Sequence, residues 1–145
     1  MKKILLIMAS IALATFICNA DGIKQAITFE QLPAAGTSFL KKYFASQTPA
    51  SIIMEKEHGR IEYEIYYPNG VKVELNQAGE WKKVDGNGNI VPKGFYPAGI
   101  DSAIAAAYPG AQIMQIEKKY AGYEVDLNNG LELKFNQSLQ MRVDD

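Results

Sequence analysis

The sequence contains the stretch Tyr63-Glu-Ile-Tyr-Tyr-Pro-Asn-Gly-Val-Lys-Val-Glu-Leu75, and a similar stretch, Tyr123-Glu-Val-Asp-Leu-Asn-Asn-Gly-Leu-Glu-Leu-Lys-Phe135, follows sixty residues later. In both, apolar and polar residues alternate on either side of a turn, which is typical of two half-buried antiparallel strands. The apolar rows stay in register only if Tyr67 opposes Val71, so the loop has three residues and Gly70 takes the left-handed position. The sequence therefore predicts two copies of one β-hairpin.

The elements around the hairpins also occur twice. Apolar residues at helical spacing predict a helix from about Pro33 to Ser46 and a shorter, Ala-rich helix from Pro97 to Tyr108. Period-two segments predict a strand before each hairpin and another after it, at 52–57, 80–84, 111–118 and 139–143. Residues 28–86 and 95–145 are thus predicted to be two tandem repeats of one helix and four antiparallel strands, joined by the turn-rich linker 87–94.

This arrangement predicts an α+β fold. Each four-stranded sheet is expected to bury one face on its helix and to leave the other face open to water. The sequence leaves open whether the two sheets join edge to edge, although free edges would be an association risk.

The first twenty residues differ from the rest. Lys2 and Lys3 precede an apolar run, and small residues lie before a cleavage point after Ala20, as in a secretory signal peptide. The run is too short for a comfortable membrane span. Acylation of Cys18, which would make a lipoprotein, is the alternative. Residues 21–26 are expected to be a mobile lead-in to the domain.

Composition narrows the class of protein. The net charge is −1, and without Lys2 and Lys3 thirteen basic and sixteen acidic residues remain, a net charge of −3. No basic patch of the kind that binds nucleic acid is apparent. Cleavage after Ala20 would leave no cysteine, so an exported chain would depend on its packed core rather than on disulfides. The sequence therefore predicts a periplasmic or secreted protein with no membrane span after cleavage.

A diffuse pattern along the chain resembles the PepSY-like family of exported Gram-negative proteins, described as β-lactamase-inhibitor-like. The resemblance covers about Thr28 to Asp144, and the second copy departs from it at 138–141, where Gly and Trp are missing. The residues that carry it are Leu32-Pro33-Ala34-Ala35, Tyr43-Phe44, Tyr63-Glu64-Ile65, Asn69-Gly70, Asn76-Gln77-Ala78-Gly79-Glu80-Trp81 and Val84-Asp85-Gly86.

The resemblance implies a β-lactamase-inhibitor-protein-like architecture, in which the repeats form one curved sheet with the helices on its convex side. The inhibitor that shares this fold grips an enzyme with its concave sheet face. The resemblance assigns no catalytic residue and no cofactor to the chain, and fold alone is a weak guide to function.

Residues that could carry chemistry are few. His58, the single histidine, falls in a predicted turn without a partner or a pocket, so an exposed turn residue is favoured over a general base. Ser38 and Ser102 fall on helices without the Gly-x-Ser-x-Gly elbow of a nucleophile. The segment 85–89 places oxygen ligands as a calcium loop does, but Ile90 and Tyr96 stand where Gly and Glu are required, so a linker is favoured.

The open sheet face is the candidate site. The predicted register places Glu64 opposite Glu74 and Asp126 opposite Glu132, and like charges in these positions are mildly destabilising. Either a cationic partner or metal relieves them, or Lys72 and Lys134 compensate diagonally on a solvated face. Trp81 either caps the first sheet or protrudes as an interface anchor. The candidate partner-binding residues are Glu62, Glu64, Tyr66, Lys72, Glu74, Trp81, Glu124, Asp126, Glu132, Lys134 and Arg142.

These observations favour a non-enzymatic exported binding protein, which would bind or inhibit an envelope enzyme such as a peptidase through the open face. The alternative is a periplasmic protein that binds a small molecule or a metal ion. An enzyme with an unrecognised site is a further hypothesis, but the sequence offers no catalytic motif for it. No cofactor and no dedicated metal site are predicted, and the partner and oligomeric state stay open.

Overall fold

The strands of one antiparallel sheet follow each other in space in the order in which they follow each other in the sequence. The computed structural model describes residues 16–19 and 22–144. The strands are β1 Phe16–Asn19, β2 Gly22–Ala26, β3 Ser51–Glu57, β4 Arg60–Tyr66, β5 Lys72–Asn76, β6 Trp81–Asp85, β7 Ile113–Lys119, β8 Gly122–Leu127, β9 Glu132–Asn136 and β10 Met141–Val143.

Two helices make the connections that are not hairpins. Helix α1, Ala34–Tyr43, lies between β2 and β3, and helix α2, Ala98–Ala107, lies between β6 and β7. A single 3₁₀ turn, Phe29–Gln31, precedes α1, and its Gln31 side chain accepts a hydrogen bond from the Thr28 N–H at 2.8 Å. The α+β class and both predicted helices are confirmed, and α1 begins one residue and ends three residues inside its predicted bounds.

The two predicted hairpins have the predicted loops. The Tyr67 N–H donates to the Val71 carbonyl at 2.9 Å, and Gly70 has a φ of +92°. In the second hairpin the Leu127 N–H donates to the Leu131 carbonyl at 2.9 Å, and Gly130 has a φ of +85°. The three-residue loop is therefore correct in both places, and with it the faces to which the strand residues point.

The sheet is continuous because β6 pairs with β7, which answers the question that the sequence leaves open. Val84 of β6 lies opposite Ile116 of β7. This pair extends a row of directly opposed residues on one face, all of them at most 5% exposed. In spatial order the row is Ile52, Ile65, Val73, Val84, Ile116, Val125 and Leu133.

The helices cover the face that carries this row. Leu40 of α1 and Ile100 and Ile104 of α2 are at most 3% exposed and belong to the same core. Adding a Cβ to Gly36 of α1 would bring it within 2.7 Å of the Leu75 side chain of β5, so the helix approaches the sheet closely there. Both helices therefore lie on one side of the sheet.

Phe95, just before α2, joins the two halves of the core. Its ring lies 4.9 Å from Trp81, 5.3 Å from Phe39, 5.5 Å from Tyr43 and 5.0 Å from Tyr96, mostly edge to face. Such pairs contribute beyond the apolar area that they bury. This one side chain thus contacts α1, β6 and the start of the second half.

The N-terminal segment corrects one expectation. Residues predicted as a mobile lead-in form strand β2, which pairs with β3 from Ile23 opposite Lys56 to Ala26 opposite Ile53. The pairing gives the segment a ladder of backbone hydrogen bonds. The five residues of the strand are too few for a period-two pattern to predict it. The predicted signal peptide, 1–20, falls outside the described residues except for Phe16–Asn19, which pair with β2 as β1. Nine strands, β2 to β10, therefore follow that segment.

We expect the substitution Phe95→Ala to lower the free energy of unfolding by about 2–3 kcal/mol, because it removes four aromatic contacts and leaves a cavity where the halves meet. Urea unfolding followed by the fluorescence of Trp81, the single tryptophan, measures the change. Tyr120→Ala is the control, since Tyr120 is fully exposed and its loss should change stability little. A Phe95→Ala protein as stable as the control would show that this cluster does not hold the halves together.

Candidate interaction surface

The face of the sheet that points away from both helices, the open face, is formed by the residues that alternate with the core row. Directly opposed residues in antiparallel strands share a face. The register therefore places ten of the eleven candidate residues together, half-buried or exposed, across β4, β5, β8, β9 and β10. They are Glu62, Glu64, Tyr66, Lys72, Glu74, Glu124, Asp126, Glu132, Lys134 and Arg142.

Trp81 does not lie on this face, and the hypothesis that it protrudes as an interface anchor is wrong. Its side chain is 7% exposed on the helix-covered side, where it packs against Phe95 and stacks 6.3 Å from Tyr123. The cause is an irregularity in the pairing of β5 with β6, after which Leu75 lies opposite Trp81. The bulge turns both Trp81 and Val84 inward, three residues apart.

Charged residues of the open face continue from one half of the sheet to the other across the pairing of β6 with β7, the seam. One row of opposed residues crosses six strands from β5 to β10. In spatial order its members are Glu74, Lys83, Glu117, Glu124, Lys134 and Arg142. Three of the five neighbouring pairs in this row have opposite charges. One of them, Lys83 and Glu117, 4.0 Å apart, forms an ion pair across β6 and β7, where the two halves of the sheet join.

Lys72 resolves the repulsion in the first hairpin. Glu64 and Glu74 lie directly opposite each other, as predicted, and the Lys72 Nζ is 2.6 Å from Glu64 Oε1 and 2.9 Å from Glu74 Oε1. The Tyr66 hydroxyl donates a second hydrogen bond to Glu64 Oε2 at 2.9 Å. Diagonal compensation by Lys72, one of the two alternatives from the sequence, is therefore confirmed for this pair.

The pKa values follow from this contact. Burial alone would raise the pKa of Glu64, but the hydrogen bonds from Lys72 and Tyr66 hold it below its ordinary value. Burial opposes the charge of Lys72 as well, yet its bonds to the two carboxylates raise its pKa above the ordinary value. Burial and the hydrogen bond to Glu64 raise the pKa of Tyr66. At neutral pH Glu64 and Lys72 are therefore both charged, and the Tyr66 hydroxyl keeps the proton that it donates to Glu64.

The second hairpin compensates its charges differently. Glu124 lies opposite Lys134, and its Oε1 is 4.0 Å from the Lys134 Nζ. Its Oε2 forms a second ion pair with the Lys119 Nζ at 3.0 Å. Lys134 also pairs with Asp144, beyond the last strand. Hydrogen bonds to Glu117 and Glu124 raise the pKa of Lys119. The carboxylate of Glu124 is thus balanced by two lysines.

Among the described residues, Asp126 and Glu132 form a like-charge pair to which no ion pair is made. They lie directly opposite each other, and within the described part of the chain no basic group comes within 4.0 Å of either. Burial raises the pKa of Asp126; Lys83 acts against this, whereas Asp85 and Glu124 add to it. The second repulsion predicted from the sequence therefore persists in the folded protein.

Sequence reasoning missed several charged residues of the open face. Lys82 lies in the bulge and pairs with Glu62, while Lys24 of β2 pairs with Glu55 of β3 at 3.2 Å. The alternation in β3 already indicates the position of Glu55. A period of two does not predict the positions of the two lysines, because Lys82 lies in a bulge and Lys24 lies in the unpredicted strand β2.

The remaining candidates are structural. The His58 side chain is 87% exposed in a hairpin turn, and Ser38 is exposed on α1. Ser102 donates its hydroxyl proton to the Ala98 carbonyl at 3.2 Å. In the linker, Asp85 accepts from the Asn87 N–H at 2.8 Å, as in a tight turn.

Over residues 16–19 and 22–144 there is no cluster of three or more His, Cys, Asp or Glu side chains able to hold a metal ion. In the same ranges, no helix is long and apolar enough to cross a membrane.

Comparison with known proteins identifies relatives. Residues 61–142 match the sequence profile of the family described as "Putative beta-lactamase-inhibitor-like, PepSY-like". A "putative periplasmic protein" of the DUF2874 family from Bacteroides vulgatus has a similar structure, with a TM-score of 0.80 and 31% identity over 84% of this chain and 97% of its own. No curated protein shows significant similarity to the chain.

Two further crystal structures are as similar. A "putative calcium-regulated periplasmic protein" from Bacteroides thetaiotaomicron gives a TM-score of 0.80 at 32% identity, over 84% of this chain and 97% of its own. A periplasmic protein of unknown function from Bacteroides vulgatus gives 0.78 at 30% identity, over 84% and 99%. The resemblance stated from the sequence is therefore confirmed.

We expect Lys72→Met to lower the free energy of unfolding at pH 7 by about 1–2 kcal/mol, because it leaves Glu64 and Glu74 opposed without a cation. The lowered pKa of Glu64 contributes stability above its ordinary pKa, and that stability is lost on acidification. The deficit of the variant should therefore shrink below about pH 4. Lys82→Met, which loses a single, more exposed pair, is the control. Equal losses in both variants at all pH values would contradict the network.

Unlike Lys72→Met, Asp126→Asn should stabilise the protein. We expect it to raise the free energy of unfolding at pH 7 by about 0.5 kcal/mol, because it removes one of two opposed like charges. A raised carboxyl pKa means that the folded state keeps its proton to higher pH than the unfolded chain, so ionisation costs stability as the pH rises. The gain should vanish below about pH 3.5. Thermal unfolding across this range measures it. Asp144→Asn, which loses the partner of Lys134, should instead destabilise.

Proposed function

Because the chain belongs to the PepSY-like, β-lactamase-inhibitor-like family, we propose that it is an exported, non-enzymatic binding protein that uses its open face. The partner class that fits is an envelope enzyme such as a peptidase, which the protein would bind or inhibit. One observation carries the proposal: within residues 16–19 and 22–144 no helix covers the open face, and its side chains are held in place by ion pairs. Preorganised side chains lose less entropy on binding.

We also propose that the chain consists of two repeats, 28–86 and 95–145, linked by 87–94. The turns that follow the two hairpins support this. The Asn76 Oδ1 accepts hydrogen bonds from the N–H groups of Ala78 and Glu80, and sixty residues later the Asn136 Oδ1 accepts from those of Ser138 and Gln140. A shared turn with the same donors at the same spacing favours duplication of one unit.

The proposed location is the periplasm or the medium. It rests on the periplasmic relatives and on the N-terminal sequence, with cleavage after Ala20 as the proposal and acylation of Cys18 as the alternative. Mass spectrometry of the protein purified after export separates the two, since an acyl chain adds mass to a protein that still contains Cys18.

The unbalanced pair on the open face indicates the chemistry of the partner. Asp126 and Glu132 repel each other, and a basic side chain inserted between them would relieve that repulsion. Asp85 and Asp126 both oppose Gln115 from its two sides, so the acidic character continues toward β6. We therefore propose a partner that presents a lysine or arginine to this part of the open face.

The test is capture of a partner from the cell envelope by chemical crosslinking and mass spectrometry. The decisive variant is the double substitution Asp126→Lys, Glu132→Lys. It reverses the charge but leaves two like charges opposed, so it should fold as the wild type does. We expect the wild type to capture a specific envelope protein and the double variant to lose most of it, at least tenfold.

A triple variant on the helix side, Glu30→Lys, Ser38→Lys, Ser102→Lys, makes the same change in net charge at exposed positions and is the matched control. Capture by the wild type and this control but not by the open-face variant supports the proposal. Equal capture by all three, or no specific capture at all, contradicts the use of this face.

A second candidate function is regulation by a cation. It is favoured by the description of one relative as calcium-regulated and by the same unbalanced carboxylates. Isothermal titration with Ca²⁺ tests it, with Asp126→Asn, Glu132→Gln as the variant. Millimolar or tighter binding by the wild type alone would support the ion. Identical heats for both proteins would reject a site at this pair.

A further inference from the structure

A cavity lies on the helix-covered side, away from the open face, at the end of α1. Its volume is about 380 Å³, within the range of sites for small molecules. The walls come from the 3₁₀ turn before α1, from α1 and the residues after it, and from the end of β4. Its apolar side chains are those of Phe29, Leu40, Phe44, Pro49 and Tyr67.

Tyr67 brings a free polar group to this cavity. Its side chain is 6% exposed, and within the described residues its hydroxyl makes no hydrogen bond. The same residues contain no side-chain polar atom that is both fully buried and unpartnered. The Tyr67 hydroxyl is therefore not sealed from solvent, and Tyr67 lines two cavities from which an acceptor could approach it.

The space continues past Tyr67. The Phe44 and Tyr67 rings stack with centroids 5.5 Å apart, and a second cavity of about 340 Å³ lies along the same pair of residues, toward the loop after α1 and the linker. Burial raises the pKa of Tyr67 to about 12, so its phenol keeps the proton at neutral pH and is able to donate it. A hydrogen-bond acceptor in the cavity would satisfy it.

Two charged residues stand at the cavity, Lys41 and Glu30. The Lys41 Nζ lies 5.7 Å from the centre of the Phe29 ring, over one of the apolar walls. Within the described part of the chain, neither Lys41 nor Glu30 has an opposite charge within 4.0 Å. Glu30 and Lys41 balance in charge, and Gln47 and Thr48 add polar groups to the lining. The group that both the Tyr67 hydroxyl and Lys41 are able to bind is a hydrogen-bond acceptor with negative charge.

We propose that this cavity binds a small amphipathic carboxylate, an aliphatic or aromatic molecule whose apolar part packs against Phe29, Leu40 and Phe44. The carboxylate accepts a hydrogen bond from the Tyr67 hydroxyl and is attracted by Lys41. Apolar walls with a few converging polar groups are the common form of such a site. The proposal does not depend on the open face or on any protein partner.

Three probes of equal chain length, octanoate, octanol and octylammonium, test which head-group charge the cavity prefers. The protein is produced from the full-length chain and purified after export, and binding is measured by titration followed by NMR. We expect octanoate to bind tightest, with saturable shifts at the amides around Phe44 and Tyr67, and at least fivefold tighter than octylammonium.

Matched variants test each contact. Tyr67→Phe keeps the stacked ring and removes the hydroxyl, and we expect it to weaken octanoate binding at least about tenfold, as for one hydrogen bond to a charged group. Tyr63→Phe, in β4 four residues before Tyr67 and outside both cavities, is its control. Lys41→Gln should weaken octanoate about threefold and leave octanol unchanged, and Lys42→Gln on the same helix is the control.

The proposal is overturned by any of three results. If octylammonium bound as tightly as octanoate, the cavity would have no preference for a negatively charged head group. Octanoate affinity unchanged in Tyr67→Phe, or reduced equally in Tyr63→Phe, would remove the role of the hydroxyl. The absence of saturable binding by all three probes would show that the cavity takes no such ligand.

Discussion

The pairing of β6 with β7 is the constraint on which the rest of the structure depends. It joins the two halves in one register, with Val84 opposite Ile116. A shift of one residue would turn the second half over, because side chains alternate between the faces of a sheet. Its apolar row would then meet water and its charges would meet the helices. Both the common core and the common open face therefore follow from this single strand pair.

The open face is not a random solvated surface, because its charges are paired across strands and across the seam. Lys72 holds two glutamates, and Lys83 faces Glu117 where the halves meet. The exception is Asp126 opposite Glu132. Exposed ion pairs add little stability individually, so what this arrangement provides is a fixed pattern of charge with one unbalanced place in it.

Much of this fold could be predicted from the sequence, and the failures have identifiable causes. The two hairpins, their three-residue loops and the opposition of Glu64 and Glu74 all follow from period two together with a glycine that needs positive φ. Trp81 could not be placed, because a bulge puts it on the same face as Val84, three residues later. Strand β2 was missed because its pairing with β3 is a long-range contact across α1. The cavity at Tyr67 depends on how α1 ends, which periodicity does not describe.

Strand order in space equals strand order in the sequence. Each strand therefore pairs with the strand that precedes it in the chain. Eight of the ten strands are laid down through short turns, so most of the sheet assembles by local steps with little loop-closure entropy. Two pairings are different, because α1 lies between β2 and β3 and the linker and α2 lie between β6 and β7. Docking of α2 is therefore the event that couples the two locally formed halves, and the folding rate should be governed there.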